Sequence, residues 1–173
     1  FYTMTNTSFL DKIAIELLHN FSDKLSDTVV ILPNKRAKVF LIEAIKKEAE
    51  IAKSGKKAHI IAKMNALLDE QIICALYEAS NAGVKIDLLV RGACSFRMSK
   101  VAKYRNVRVR SILGRFLEHS RIYNFHNNGN PEFFIGSADI MERNLDRRVE
   151  ALIRIDEEDH KIELANILDL SVS

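Results

Sequence analysis

The chain has 173 residues, 47% of them hydrophobic and 28% charged, with six glycines and two prolines, and this composition excludes disordered, collagen-like and low-complexity proteins. Its 26 Lys and Arg residues against 23 Asp and Glu residues leave a net charge of +3, which is too small to require nucleic acid as a partner. Two cysteines cannot form a disulfide framework, and no apolar run approaches the roughly 20 residues of a membrane span, so we expect a globular protein of the reducing cytoplasm, with peripheral attachment to a membrane as an alternative.

Hydrophobic periodicity predicts alternating helices and strands in the first half of the chain. In order, these are a helix over 8–21, a strand over 28–32, a helix over 39–51, a strand over 59–63, a helix over 69–82 and a strand over 84–90. Gly83 is a candidate C-cap of the helix over 69–82. In the helix over 39–51, the spacing predicts that Lys46, Lys47 and Glu48 face outward.

The second half of the chain is richer in strand patterns. In order, the predictions are a strand over 107–110, a short helix over 111–118, strands over 121–125 and 133–135, a short helix near Met141, a strand over 149–155 and a helix over 156–168. Asn127-Asn-Gly-Asn-Pro131 predicts a turn, because Gly and Asn tolerate positive φ. The two halves together predict an α/β fold with a mixed sheet flanked by helices.

The most unusual segment is a basic stretch over 97–121, which contains eight positive residues and one acid, Glu118. A solvated surface face would explain such a run equally well. Two features favour an anion site. Arg91 follows a predicted parallel strand, at the sheet edge where α/β proteins bind ligands. Arg108 and Arg110 share one strand face, where their charges repel unless an anion lies between them, and the arginine fork suits phosphate oxygens.

Two further features suggest chemistry. His119 lies among these arginines, whose charge favours a neutral imidazole that could attack phosphorus, pass a proton or hold a phosphate. The alternative is a histidine packed at a helix end. Later, Gly136-Ser-Ala-Asp139 precedes acids and arginines over 143–150. This pattern predicts a ligand-binding loop, a structural network of ion pairs, or both, if Asp146 or Glu150 orients an arginine that contacts phosphate.

Several strings of the sequence, taken in order, form one family pattern. They are Ile60-Ile-Ala-Lys-Met-Asn65, Ala75-Leu-Tyr-Glu-Ala-Ser80, Gly83-Val-Lys-Ile-Asp87, Val90-Arg-Gly92, Arg115-Phe-Leu-Glu-His-Ser-Arg121, Gly136-Ser-Ala-Asp139 and Arg143-Asn-Leu-Asp-Arg-Arg-Val-Glu150. With these strings, the chain from about 41 to 170 resembles the C-terminal domain of the ATP-dependent polyphosphate kinase family. The resemblance implies a phospholipase-D-like α/β domain.

The resemblance also implies a function. In such kinases two of these domains face each other, and a histidine of the first accepts the γ-phosphate of ATP and passes it to polyphosphate, with Mg²⁺. In the second domain, an arginine and a histidine at the positions of Arg91 and His119 help to hold nucleotide phosphates. We expect His119 to assist proton or phosphoryl transfer and add Arg115, Arg121 and Arg143 as phosphate-binding candidates. The implied partners are ATP, ADP and inorganic polyphosphate; nucleic acid is disfavoured, and a homo-oligomer is left open.

The chain departs from the family pattern in three places. The loop over 96–106 lacks the family's Pro-Gly, Ile140 replaces a tryptophan, and the 173 residues contain no counterpart of the domain with the phosphorylated histidine, which lies upstream in the family. We therefore expect the chain not to be fully active alone. Residues 1–40 instead resemble the amino end of bacterial nuclease–helicase repair proteins of the PD-(D/E)XK class, which predicts two parts, 1–40 and 41–173, of separate origin.

Two alternative functions stay open at this point. The first is a non-catalytic module that binds nucleic acid or another polyanion through the basic stretch. The second is a folded chain without activity.

Overall fold

The structure of the protein is a computed structural model that describes residues 36–100, 106–112, 115, 117–148 and 150–172. The predicted helix over 8–21 and strand over 28–32 lie outside these residues. All the described residues belong to one compact unit of the chain.

The described residues form four α-helices and six β-strands. The helices are α1 (Arg36–Lys53), α2 (Glu70–Ala82), α3 (Glu142–Leu145) and α4 (Glu158–Val172). The strands are β1 (His59–Met64), β2 (Lys85–Val90), β3 (Val107–Arg110), β4 (Ile122–Phe125), β5 (Glu132–Gly136) and β6 (Leu152–Ile155). Short 3₁₀ turns span Met98–Lys100 and Asn127–Gly129.

The six strands form one sheet in the order β3-β2-β1-β4-β5-β6. β1, β2 and β3 are parallel, whereas β4, β5 and β6 each pair antiparallel with the preceding strand of that order. The predicted mixed sheet flanked by helices is therefore confirmed. We call the edge at which β1, β2 and β3 end the carboxyl edge. β4 starts at this edge and β5 ends there.

Two apolar clusters cover opposite faces of the sheet, because successive strand residues point to alternate sides. On one face, Ile60 of β1 packs with Leu41 of α1 and other buried residues of α1 and α2. On the other face, Ile61 and Leu89 pack with Leu168 of α4. The helices thus cover both faces of the sheet.

Local capping explains the bounds of α2. The Asp69 carboxylate accepts a hydrogen bond from Ile72 N, which satisfies one of the free N–H groups at the helix start. Gly83 ends the helix in the left-handed region with φ of 101°, and its N–H donates to the carbonyls of Ala79 and Ser80. Both ends agree with the sequence prediction.

Glu48 corrects the prediction for α1, because it is buried with 1% exposure and does not face outward. Its carboxylate accepts hydrogen bonds from His59 N at 3.0 Å and from Asn127 N. Burial raises the pKa of Glu48, against the opposing effect of these two donors. Asn127 and Asn128 have φ of 44° and 55°, so the predicted positive-φ turn is confirmed, and Glu48 holds it to the start of β1.

Two predicted elements differ in the structure. The described residues of 111–118 form no helix, so that prediction is wrong for this part of the segment. Polar side chains of this segment bind residues of other parts of the chain: Ser111 Oγ donates to Arg91 O, and the Glu118 carboxylate binds a lysine of β1. The strand predicted over 149–155 is shorter and spans Leu152–Ile155.

Helix α1 runs through the predicted division between residues 40 and 41, which stays a prediction. Ala37 is buried in the core, and the Lys38 ammonium lies 3.0 Å from Asp69 Oδ2 and 2.8 Å from Asp146 Oδ2. Burial acts to lower the pKa of Lys38, but the hydrogen bonds to these two carboxylates raise it overall. Lys38 therefore ties α1 to the start of α2 and the end of α3.

Candidate functional site

Polar residues from four strands meet at the carboxyl edge. Asn65 follows β1, Arg91 follows β2, Arg121 precedes β4, and Asp139 lies three residues after β5. The mixed topology explains their proximity, because parallel β1 and β2 end where antiparallel β4 begins. Residues distant in the sequence are thereby brought to one edge.

Hydrogen bonds join these residues into one chain of contacts. Arg91 Nε donates to Asn65 Oδ1 at 2.8 Å, and Asn65 Nδ2 donates to Asp139 Oδ2 at 3.2 Å. Arg121 Nε donates to Asp139 Oδ1 at 2.9 Å. The same carboxylate accepts the backbone N–H groups of Asn65 at 3.2 Å and Ala66 at 3.3 Å. We call Arg91, Asn65, Asp139, Arg121 and His119 the site network.

His119 joins this network through Arg121. The imidazole is exposed, and the two terminal nitrogens of Arg121 lie 3.3 Å from His119 Nδ1 and 3.2 Å from Nε2. A neutral imidazole has one bare nitrogen, so at most one of these contacts is a hydrogen bond. Arg121 also donates to the His119 carbonyl at 3.2 Å. One guanidinium therefore contacts both the ring and the backbone of the histidine.

Electrostatic effects support a charged Arg121–Asp139 pair. Burial acts to raise the pKa of Asp139, but the hydrogen bonds from Arg121 and Asn65 lower it overall. The hydrogen bond with Asp139 raises the pKa of Arg121. Both side chains are about nine-tenths buried, and the pair stays ionised at neutral pH.

A buried lysine lies at the same edge, and sequence reasoning assigned it no role. Lys63 of β1 has a side chain with 5% exposure, and its ammonium lies 2.8 Å from Glu118 Oε2 and 2.5 Å from Ser120 Oγ. The sequence feature that could have indicated its role is a lysine flanked by apolar residues in β1, on the same face of the strand as the buried Ile61.

The structure brings together three of the five predicted site residues: Arg91, Arg121 and His119. Arg115 and Arg143 are both exposed, and no hydrogen bond or ion pair joins either of them to the other residues that the structure describes. Their phosphate-binding roles stay predictions, as do the roles of Arg91, Arg121 and His119 within the site network.

Arg108 and Arg110, whose charges were expected to repel unless an anion lies between them, each have a partner within the chain. Arg108 Nε lies 2.5 Å from Asp87 Oδ1, and Arg110 donates to the carbonyl of Val172. Asp87 is buried and also binds His59 Nε2 at 2.7 Å. Burial opposes ionisation of Asp87, but the hydrogen bonds from Arg108 and His59 lower its pKa overall. The charge of Arg108 is therefore neutralised within the chain by Asp87, whereas the carbonyl that Arg110 contacts is uncharged.

The acids predicted to orient an arginine have other partners. Asp146 binds Lys38, and Glu150 accepts hydrogen bonds from Ser137 Oγ and from Asn144 Nδ2 at 3.3 Å. The acid that directly contacts an arginine of the site network is Asp139, and the sequence pattern does not indicate this pairing.

Across the described ranges, no group of three or more His, Cys, Asp and Glu side chains could hold a metal ion. None of the helices in this part of the chain combines the length and hydropathy needed to cross a membrane.

The fold has solved counterparts. NucT from Helicobacter pylori is 12% identical, with a TM-score of 0.57 over 83% of this chain and 93% of its own. Nuc from Salmonella typhimurium, a phospholipase D family member, is 17% identical, with a TM-score of 0.55 over 83% of this chain and 90% of its own. These likenesses and the observed topology define the class, a phospholipase-D-like α/β domain.

Closer relatives identify the family. The family model "Polyphosphate kinase C-terminal domain 2" matches residues 30–173, and the chain belongs to this family. The polyphosphate kinase of Porphyromonas gingivalis is 37% identical, with a TM-score of 0.75 over 90% of this chain and 24% of its own.

Curated polyphosphate kinases agree with this family. Those of Thermosynechococcus vestitus and Streptomyces coelicolor are 52% and 47% identical over 76% and 77% of this chain. The chain spans 18% of the length of each of these two relatives.

Proposed function

We propose that this chain is the ATP- and polyphosphate-binding part of a polyphosphate kinase. The complete enzyme would transfer the terminal phosphate of ATP reversibly to polyphosphate through a phosphohistidine on another domain. The observation that carries this proposal is the site network, in which two arginines and an exposed imidazole are held at one sheet edge by Asn65 and Asp139.

Arg91, His119 and Arg121 of the site network would each have a separate role in the reaction. Arg91 uses Nε to bind Asn65, which leaves its terminal N–H groups to bind phosphate oxygens. The exposed His119 ring would donate a hydrogen bond to phosphate or move a proton during transfer. Arg121 is fixed by its ion pair with Asp139 and would orient His119.

Mg²⁺ would enter this reaction with ATP, as part of the substrate. The described residues offer no group of three ligands for a resident ion, so this chain would bind the phosphates while the phosphates hold the metal. In the same proposal, the enzyme works in the cytoplasm, where the two free cysteines, Cys74 and Cys94, would stay reduced.

Calorimetric titration of the chain with Mg²⁺-ATP and with polyphosphate tests the proposal. Arg91→Ala and His119→Ala should each weaken binding by about 1–3 kcal/mol, because a charged hydrogen bond to phosphate is lost. Arg154→Ala is the matched control, since Arg154 is an exposed arginine of β6 that pairs with Asp156. Equal affinities for the wild type and both site variants would exclude these two assignments.

Competition distinguishes this function from a nucleic-acid module. Arg108 and Arg121 of the basic stretch are neutralised by Asp87 and Asp139, which leaves less free positive charge for a nucleic-acid backbone. We expect polyphosphate to displace ATP and duplex DNA not to. Displacement by duplex DNA at a similar charge concentration would favour the nucleic-acid module.

A further inference from the structure

Lys63 is a buried cation whose hydrogen bonds flank His119. It donates to Glu118 and to Ser120, the residues directly before and after the histidine. Only 5% of the lysine side chain is exposed, whereas 46% of the Glu118 side chain is. The lysine belongs to an inner strand of the sheet, and its two partners belong to a segment without helix or strand structure.

We propose that Lys63 is a positioning residue that anchors the segment Glu118–Ser120 to the sheet and thereby sets the place of the His119 imidazole. The effect on ligand binding rests on the proposed function of His119. The anchoring itself does not, because it follows from the contacts of the chain alone.

Lys63 is poorly placed to bind phosphate itself. Its ammonium already has two partners, and the adjoining cavity, which Arg91 also lines, has room for about one water molecule. A phosphate group would have to displace Glu118 and Ser120 to reach it. The lysine therefore acts through the segment that it holds.

The histidine is constrained from two sides. Arg121, fixed by Asp139, contacts its ring and its carbonyl, while Lys63 holds the residues on either side of it. Constraints made before a ligand arrives reduce the conformational entropy that binding must remove. If Lys63 were replaced, Arg121 would be the one residue, of those that the structure describes, that still restrains the imidazole.

Lys63 also controls a negative charge beside the histidine. Its hydrogen bond lowers the pKa of Glu118, and its ammonium compensates the resulting carboxylate. An uncompensated carboxylate next to His119 would repel phosphate. Removal of the lysine would therefore weaken phosphate binding in two ways: the segment Glu118–Ser120 would become less ordered, and the Glu118 carboxylate would repel the phosphate.

The test compares Lys63→Met with Lys38→Met. Methionine keeps an unbranched chain of similar length, and both lysines are largely buried with two partners, but Lys38 binds Asp69 and Asp146 instead of the histidine segment. The first measurement is NMR of the chain without ligand: the His119 ring signals and the amide order of Glu118–Ser120. The second is the affinity for Mg²⁺-ATP and for polyphosphate.

In Lys63→Met we expect shifted His119 ring signals, greater mobility of Glu118–Ser120 and an affinity lower by about tenfold. In Lys38→Met these signals should match the wild type, with the affinity within about twofold. In Lys63→Met/Glu118→Ala, removal of the uncompensated carboxylate should restore part of the affinity but not the order of the segment. This partial rescue separates repulsion from anchoring.

Unchanged His119 signals and segment order in Lys63→Met would overturn the proposal, and so would equal changes in Lys38→Met. A wild-type chain that binds neither Mg²⁺-ATP nor polyphosphate would instead reject the function proposed for His119. In that case the NMR comparison would still decide whether Lys63 anchors the segment.

Discussion

Arg121 and Asp139 form a nearly buried ion pair at the carboxyl edge, with Arg121 Nε 2.9 Å from Asp139 Oδ1 and each side chain 10% exposed. The same carboxylate accepts the backbone N–H groups of Asn65 and Ala66, which follow β1. Asp139 therefore fixes an arginine and a loop at once. The position of His119, which contacts Arg121, depends on this carboxylate.

Replacement of Asp139 by asparagine should destabilise the protein strongly. The variant keeps the size of the side chain but leaves the buried guanidinium of Arg121 without a countercharge, and breaking such a pair costs about 3 kcal/mol. Urea unfolding at pH 7 measures this free energy of unfolding. Glu142→Gln is the control, because Glu142 pairs with Arg147 at the surface and should cost less than about 1 kcal/mol. Similar losses in the two variants would argue against a special role of the Asp139 pair.

The contribution of Asp139 should disappear in acid. Its pKa is lowered in the folded state, so the folded protein binds fewer protons at this site than the unfolded chain does. The stabilisation is complete above the unfolded pKa of about 3.9 and is lost as the pH falls through the lower folded value.

The difference in unfolding free energy between the wild type and Asp139→Asn should stay constant from about pH 7 to pH 5 and shrink below about pH 4. Urea titrations at several pH values measure it, and a difference that grows in acid would contradict the assignment. Glu48, whose pKa is raised, gives the unfolding free energy the opposite pH dependence. Because Glu48 is present in both the wild type and Asp139→Asn, its effect cancels in the difference between them.

Glu48 should stabilise the opposite edge of the sheet without affecting the site. Glu48→Ala removes the acceptor of the His59 and Asn127 N–H groups, and the expected loss in unfolding free energy is about 2 kcal/mol, measured in urea. ATP affinity should not change, because β1 starts and β4 ends at that edge. Glu43→Ala, on the exposed side of the same helix, should change stability by less than about 0.5 kcal/mol. A change in ATP affinity with Glu48→Ala would show that the two edges are coupled.

The sequence predicted features that depend on local contacts. The cap at Gly83 and the turn around Asn127 follow from backbone preferences over a few residues. The position of Arg91 at a parallel strand end follows from strand order and from the family strings. These predictions needed no knowledge of which distant residues meet.

Features that depend on long-range contacts could not be predicted in this way. Asp139 binds Asn65 across 74 positions of sequence, and Lys63 binds Glu118 across 55. Helical spacing predicted Glu48 at the surface, but the backbone N–H groups of Asn127 and His59 donate to its carboxylate and make its burial tolerable. Periodicity carries no information about such partners.

Gly92 should matter for ligand binding as well as for stability. Its N–H donates to Asn65 O at 2.8 Å, and a Cβ on this residue would lie 3.0 Å from the same carbonyl oxygen, which is tighter than most Cβ contacts in proteins. Gly92→Ala should therefore move Asn65, which holds Arg91, and reduce stability by about 1–3 kcal/mol together with a clear loss of ATP affinity.

Gly55→Ala is a matched control, because Gly55 has φ of 78° and open space around it. This substitution should cost about 1 kcal/mol of stability by backbone strain and leave the ATP affinity unchanged. Calorimetry with Mg²⁺-ATP and urea unfolding separate the two effects. Wild-type affinity in Gly92→Ala would mean that the contact between Gly92 and Asn65 does not support the binding geometry of Arg91.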